Sequence, residues 1–177
     1  MSAIKLSTPS SGSISLTPAD TASDVTITVP AVTGTMDIQG PAFSAYAGSN
    51  QTITSSTFTK IEINTEEFDT ANCYNTSTYR FTPNVAGYYQ VSGCINNYSS
   101  TSPTRVFATI YKNGSVYKRF NDGAVSSGTF YASSEGSALV YLNGSTDYIE
   151  LYGFIVASTA TIAADSAYVF FQASLVR

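Results

Sequence analysis

The sequence predicts an all-β fold, a two-layer sandwich or barrel of short strands that follows an extended, β-rich N-terminal arm. Only 11% of its 177 residues are charged and 13% are aromatic. β-Branched and aromatic side chains suit pleated, half-buried strands, and the strong helix formers are scarce. Short alternating segments are also separated by Asn-Gly turn signals. This length fits one domain with a modest appendage.

Residues 1–40 form the predicted arm. The segment holds three prolines, many Ser and Thr residues, and Lys5 as its one basic side chain. Apolar and hydroxyl side chains alternate at residues 13–16 and 25–29, as in half-buried strands. Such a polar segment cannot bury a core alone, so we expect it to become ordered against a neighbouring chain. Gly40-Pro41 marks the break before the main domain, which we assign to residues 41–177.

Two Asn-Gly pairs predict hairpins in the main domain. Asn113-Gly114 separates a strand whose buried face is Val106, Ala108 and Ile110 from a return strand over 116–120. Asn143-Gly144 lies between SALVYL and TDYIELYGFIV and predicts a second hairpin. Asn and Gly supply the positive backbone angles that a two-residue turn needs.

The segments beside the second Asn-Gly pair are apolar almost without interruption. In a two-layer sandwich one face of each strand meets the core, so the other face must meet a second subunit or a covering loop. The last strand divides in the same way, with Val169, Phe171, Ala173 and Leu175 on one face and Tyr168 and Phe170 on the other. The predicted subunit-interface residues are Leu139, Tyr141, Ile149, Leu151, Phe154 and Phe170.

The composition excludes most catalytic and cofactor chemistry, and we expect neither an enzyme nor a cofactor. The chain has no histidine, which removes the usual Ser-His-Asp and Cys-His arrangements and any His-bearing zinc site. Cys73 and Cys94 alone cannot close a zinc site. We interpret them as buried thiols, with a disulfide between them as the alternative.

Charge and hydropathy also limit the partners. A net charge of −4 with scattered Lys and Arg residues argues against nucleic acid. No apolar run is long enough to span a membrane, and the N-terminus has no apolar signal core. We therefore expect synthesis in a cytosol without export by a standard signal.

Carboxylates are the remaining chemical candidates. Glu62, Glu66, Glu67 and Asp69 lie close together in IEINTEEFD and could form a glycosidase pair or bind calcium. A solvated strand edge explains them better, because charges also protect edges from stray pairing. We therefore expect no metal site. Asp122 is interpreted as part of an Asp-Gly turn.

Loop tips are the predicted ligand-binding surface. NNYSSTSPT contains Tyr98, and NDGAVSSGTFYASSEG contains Tyr131. Aromatic and hydroxyl groups in such loops can stack on and hydrogen-bond to a host-surface glycan or protein. Tyr98 and Tyr131 are therefore the candidate ligand-binding residues, with ordinary polar loops as the alternative.

The main domain resembles the globular head of the complement subunit q and tumour necrosis factor superfamily. The segment YNTSTYRFTPNVAGYYQV is similar to the family signature, which these residues match: Tyr74, Asn75, Thr78, Phe81, Pro83, Gly87, Tyr89 and Val91. The resemblance implies a jelly-roll sandwich of the tumour necrosis factor-like type and a homotrimer. The chain lacks Trp and any collagen-like run and has Gly93 at the signature's final aromatic position. Complement function is therefore not carried over.

The arm resembles a Thr-rich repeat of bacteriophage tail, fibre and baseplate-associated proteins, through SISLTPADTASDVTITVPAVTGTM. The resemblance implies a phage virion protein, such as a tail-fibre tip, head fibre or capsid decoration. Residues 1–40 would anchor it to other virion proteins, and the knob would face outward for host attachment. The alternative is a free or cell-surface trimeric binding module with no virion role.

Overall fold

The chain divides into two compact units, Met1–Asp37 and Ile38–Arg177, whereas the sequence predicts a boundary at residues 40 and 41. In the first unit, β1 (Ile4–Ser7) pairs antiparallel with β2 (Ser13–Leu16), which covers one of the predicted alternations. The strand predicted at residues 25–29 lies outside the described residues. The computed structural model describes residues 4–7, 13–16, 40–98, 102–121, 123–125 and 131–176.

The second unit is a sandwich of two seven-stranded antiparallel sheets, with strands numbered in chain order. The front sheet runs, in spatial order, through β4 (Gln51–Ile53), β15 (Ala160–Ile162), β9 (Ala86–Tyr98), β16 (Phe170–Leu175), β3 (Ala42–Tyr46) and β6 (Thr65–Asp69), with β13 (Tyr131–Asn143) also paired to β9. The back sheet runs through β11 (Ser115–Arg119), β10 (Arg105–Lys112), β14 (Ile149–Val156), β8 (Arg80–Phe81) and β7 (Tyr74–Asn75), with β12 (Gly123–Ala124) on β10 and β5 (Thr59–Lys60) on β14. All regular elements in the described ranges are strands, and those ranges contain no helix that could cross a membrane. The predicted all-β sandwich is confirmed.

The first predicted hairpin is confirmed. β10 and β11 pair antiparallel across Asn113-Gly114, whose φ angles are 52° and 77°. Two successive positive φ angles match the right-handed twist of the strands they join, and Asn and Gly tolerate them at low steric cost.

The second predicted hairpin is wrong. β13 pairs with β9 in the front sheet, whereas β14 pairs with β10 in the back sheet. The chain therefore crosses between the sheets at Asn143-Gly144. The Asn143 Oδ1 atom accepts hydrogen bonds from the backbone N–H groups of Ser145, Thr146 and Asp147, at 2.9–3.0 Å. An Asx turn thus produces the crossing, and its local sequence resembles that of a two-residue hairpin.

Aromatic side chains connect the two sheets in the core. The ring of Phe43 stacks on Tyr74 and on Phe81, with centroid separations of 4.5 and 4.6 Å, and meets Phe171 edge to face at 5.2 Å. Phe43 and Phe171 belong to the front sheet, and Tyr74 and Phe81 to the back sheet. The Tyr74 hydroxyl donates to the Ile63 carbonyl oxygen at 2.7 Å, so its one polar group is satisfied. The signature segment therefore supplies core residues from both β7 and β8.

A side chain of the opposite sheet occupies the space where the signature's aromatic residue is missing. A Cβ atom at Gly93 would lie 2.8 Å from the Leu151 Cδ1 atom, closer than carbon atoms pack. Leu151 itself is fully buried. The side chain of Leu151 thus fills the core volume opposite Gly93.

We expect Phe43→Ala to lower the free energy of unfolding by about 3–5 kcal/mol, because it removes a ring that contacts both sheets. Denaturant unfolding followed by circular dichroism measures the change. Val116→Ala is the control, since Val116 is 46% exposed and its truncation should change stability by less than about 0.5 kcal/mol. Equal losses in the two variants would contradict a central role for Phe43.

Candidate functional site

The outward side of the front sheet, called the front face, carries the largest exposed apolar side chains on neighbouring strands. Tyr88, Leu139 and Tyr141 are 56%, 54% and 47% exposed, and the rings of Tyr88 and Tyr141 meet at 5.4 Å. Phe68 on β6 is 51% exposed. Strand alternation aims all of them away from the core.

The two central strands present no charge on this face. The residues on the outward side of β9 and β16 are Tyr88, Gln90, Ser92, Cys94, Asn96, Tyr98, Phe170, Gln172 and Ser174, of which Cys94 is covered by its neighbours and buried. A shallow depression of about 200 Å³ lies among them, bordered by Phe68, Gln90 and Gln172. Uncharged, aromatic and amide-rich surfaces are typical of the interior of a protein interface.

The structure separates the residues predicted for the subunit interface. Leu139 and Tyr141 lie together near Tyr88 on the front face, whereas Phe170 is half-buried on the same face and pairs with Cys94, closer to the other end. Ile149 and Leu151 are fully buried inside the sandwich, so their assignment to an interface is wrong. They occupy the core positions of β14, because odd-numbered residues of that strand point inward.

Phe154 lies on the opposite side of the sandwich, on the outward surface of the back sheet. Its ring packs against Phe107 at 4.7 Å and against Phe58 at 5.1 Å, and Tyr111 stacks on Tyr152 at 3.8 Å. The outer apolar side of β14 is therefore covered by side chains of the same chain. Of the two covers that the sequence allows, a second subunit or a loop, the structure has the loop. Phe154 has no need of a neighbouring subunit.

The same outward surface contains a compensated carboxylate. Glu150 is 1% exposed, and its Oε1 atom accepts hydrogen bonds from Lys60 Nζ at 3.0 Å and from Arg80 Nε at 2.7 Å. The Arg80 guanidinium also lies over the Tyr148 ring, 4.1 Å from its centroid. A buried carboxylate with two cationic partners is a structural ion pair that joins β5, β8 and β14.

Neither cysteine forms a disulfide. Cys73 and Cys94 are both buried and free, which agrees with the interpretation as buried thiols. Burial raises the pKa of the Cys94 thiol to about 11, and the Glu135 carboxylate adds to the increase. Burial also raises the pKa of the Cys73 thiol. Both thiols are therefore protonated and unreactive at neutral pH.

The acidic segment has structural partners. Asp69 accepts hydrogen bonds from the backbone N–H groups of Ala71 at 3.1 Å and Tyr74 at 2.6 Å, one on each carboxylate oxygen. Glu67 accepts a 2.6 Å hydrogen bond from the Ser44 hydroxyl. Over the described ranges, the Cys, Asp and Glu side chains form no group of three that could hold a metal ion. The Asp-Gly turn predicted at Asp122 lies outside these ranges.

The predicted ligand residues Tyr98 and Tyr131 face each other as a backbone pair of the β9–β13 ladder. Tyr98 is 51% exposed, whereas the side chain of Tyr131 lies outside the described part of the structure. Tyr98 borders a cleft of about 730 Å³, called the Tyr98 cleft. Its polar and aromatic lining consists of Asn50, Asn96, Tyr98, Ser133, Asp165 and Tyr168.

Hydrogen bonds fix the polar walls of the Tyr98 cleft. Asn96 Nδ2 donates to the Ser133 hydroxyl at 3.0 Å. Asn50 Oδ1 accepts from the Ala164 N–H at 2.6 Å, and Asp165 Oδ1 accepts from the Ala167 N–H at 2.8 Å. Within the described part of the chain, Asn50 Nδ2, Asn96 Oδ1 and Asp165 Oδ2 make no further hydrogen bond and can meet a ligand.

Sequence reasoning did not identify Tyr88 on the front face or Asn50, Asp165 and Tyr168 in the cleft. Tyr88 could have been found, since it alternates with Tyr89 and Val91, which are apolar core residues of the same strand. The residues that line the cleft come from four separate segments, and no local pattern indicates that they meet.

Comparisons with known proteins identify the fold. No protein-family model matches the sequence, and no curated protein matches it. The structure is similar to Eiger TNF from S. frugiperda, with a TM-score of 0.59 and 10% identity over 78% of this chain and 92% of that one. It is also similar to the globular domain of the zebrafish complement 1qA protein, with a TM-score of 0.52 and 16% identity over 78% and 98% of the two chains.

A third similar structure is the PRD1 vertex protein P5. It gives a TM-score of 0.56 and 15% identity, over 80% of this chain and 100% of that chain. At such low identities the similarity defines the fold alone. The second unit is therefore a jelly roll of the tumour necrosis factor-like type, as the sequence predicts.

We expect Cys94 to react slowly with an aromatic disulfide reagent at pH 8 in the native protein. A pKa of about 11, against the usual 9.0, lowers the thiolate population ~100-fold. The measurement uses the Cys73→Ala variant, so that one thiol remains, and compares native with guanidinium-unfolded protein at the same pH. A native rate within about twofold of the unfolded rate would contradict the burial of Cys94.

Proposed function

We propose that this chain is a homotrimeric, non-enzymatic virion protein, in which residues 1–40 anchor a jelly-roll knob that faces outward and binds a host surface. The observation that carries the proposal is the front face, whose two central strands present no charge and whose Tyr88 end is apolar and aromatic. The absence of histidine from the sequence supports a binding or structural role rather than catalysis.

The front face supports self-association because its composition differs from that of an ordinary surface. Tyr88, Leu139 and Tyr141 expose about half of their area on neighbouring strands. Such contiguous apolar exposure marks an interaction site in a water-soluble domain. The side-chain amides of Gln90 and Gln172 offer hydrogen-bond donors and acceptors to a neighbouring copy.

Closed cyclic symmetry with three copies follows from the resemblance to the complement subunit q and tumour necrosis factor superfamily, whose heads form tight trimers. The back sheet is less suited to the contact. The outer rings of Phe107 and Phe154 are covered within the chain, and Glu150 is already neutralised by Lys60 and Arg80. The front face is therefore the better subunit interface.

Two features support a role in a virion. The arm resembles a phage fibre and baseplate repeat, and a vertex protein of PRD1 has the same fold as the knob. The strands β1 and β2 form a two-stranded antiparallel sheet of four residues each, which is marginal without further packing. A neighbouring virion protein would supply that packing.

We expect Leu139→Asp to convert the trimer to monomers that stay folded, because a buried unpaired carboxylate costs several kcal/mol in an interface but little on a monomer surface. Light scattering at micromolar concentration gives the mass, and circular dichroism reports folding. Val116→Asp is the matched control, since Val116 is an exposed apolar residue of the back sheet. A wild-type monomer, or a trimer that tolerates Leu139→Asp, would contradict the interface.

We expect deletion of residues 1–39 to leave a folded, trimeric knob that no longer assembles onto particles. The second compact unit begins at Ile38, so the deletion removes almost none of it. Mass spectrometry of purified virions measures incorporation of the full-length and truncated chains. Incorporation of the truncated chain, or absence of the full-length chain from virions, would favour the free binding module.

A further inference from the structure

We propose that the Tyr98 cleft binds a neutral saccharide. This proposal rests on the proposed function for its biological role. It adds the class of ligand that the knob would recognise. The binding chemistry itself depends only on the residues of one subunit.

The aromatic walls of the Tyr98 cleft suit the apolar faces of a pyranose ring. Tyr98 and Tyr168 border the cleft and are 51% and 55% exposed. Tyrosine offers a rigid, amphipathic surface at low entropic cost, on which the C–H groups of a sugar can pack. The volume of about 730 Å³ falls in the range of small-molecule sites and accommodates one or two sugar rings.

The polar atoms of the cleft suit vicinal hydroxyl groups. Asn50, Asn96 and Asp165 are already oriented by the hydrogen bonds described above, so a ligand meets preorganised groups. Together they present an amide donor, an amide acceptor and a carboxylate oxygen. A hydroxyl group both donates and accepts, so adjacent sugar hydroxyls can satisfy all three.

Charge selects a neutral ligand. No Lys or Arg is among the described residues that line the cleft, and Asp165 is its charged group. The chain as a whole carries a net charge of −4. A carboxylated or sulfated sugar would therefore be repelled by Asp165 and would meet no cation among the described lining residues.

The Tyr98 cleft and the cluster of Tyr88, Leu139 and Tyr141 occupy opposite ends of the front face. Tyr98 lies ten residues along β9 from Tyr88, which corresponds to about 33 Å of strand. A subunit contact confined to Tyr88, Leu139 and Tyr141 would leave the cleft accessible. A trimer would display three clefts, and their combined avidity would compensate for weak binding at each one.

Saturation-transfer NMR and calorimetry on the full chain test the proposal. The neutral probes are glucose, galactose, mannose, rhamnose and N-acetylglucosamine with their disaccharides, and the acidic probes are glucuronate and N-acetylneuraminate. We expect at least one neutral probe to bind with a Kd near the millimolar range.

Two variants test the residues of the cleft. Tyr168→Ala should weaken binding about tenfold or more, because it removes an aromatic wall. Asp165→Asn should weaken binding about three- to tenfold, because the asparagine keeps the bond to the Ala167 N–H but loses the charge.

Two controls match these variants in type and exposure. Tyr117→Ala removes an exposed ring from the back sheet, and Glu62→Gln removes an exposed charge outside the cleft. Both should bind the saccharide as the wild type does. Binding of none of the neutral probes, binding confined to acidic probes, or neutral binding that survives Tyr168→Ala would overturn the proposal. Light scattering of the same samples reports the trimer separately, so either proposal can fail while the other stands.

Discussion

The aromatic contact between the two sheets is the constraint on which the rest of the molecule depends. Phe43 touches Tyr74, Phe81 and Phe171, and so joins the first strand of the knob to its last and to the signature segment. Contacts at this sequence separation are formed only when the whole sandwich closes. Once they form, strand alternation determines which side chains point to solvent. The front face and the Tyr98 cleft are both consequences of that assignment.

The two outer surfaces differ although both contain aromatic side chains. On the back sheet, Phe58 folds over Phe107 and Phe154, and Arg119 lies 5.0 Å from the Phe58 ring centroid. These contacts satisfy the apolar groups within one chain. On the front sheet, Tyr88 and Leu139 have no such cover in the described part of the chain. The lack of cover over the apolar groups of the front sheet therefore indicates an interface there more clearly than the number of aromatic side chains does.

Sequence patterns identified the fold and part of the site. The alternation in the last strand correctly separates Val169 and Phe171 from Phe170, and Asn113-Gly114 correctly predicts a hairpin. Periodicity could not assign Ile149 and Leu151, because an uninterrupted apolar run does not tell which face meets the core. The crossing at Asn143-Gly144 could not be predicted either, because the sheet that each strand joins is decided by partner strands distant in the sequence. The Tyr98 cleft combines distant segments for the same reason.

The close approach at Gly93 constrains how relatives of this knob can diverge. Leu151 fills the space that a side chain at position 93 would need. A homologue with an aromatic residue at position 93 therefore requires a small residue at position 151, so that the volume of the core stays constant. The two positions should covary in evolution, and an exchange at one of them alone would pass through a destabilised intermediate. Pairwise covariation across the sandwich is thus an expected signature of descent within this lineage.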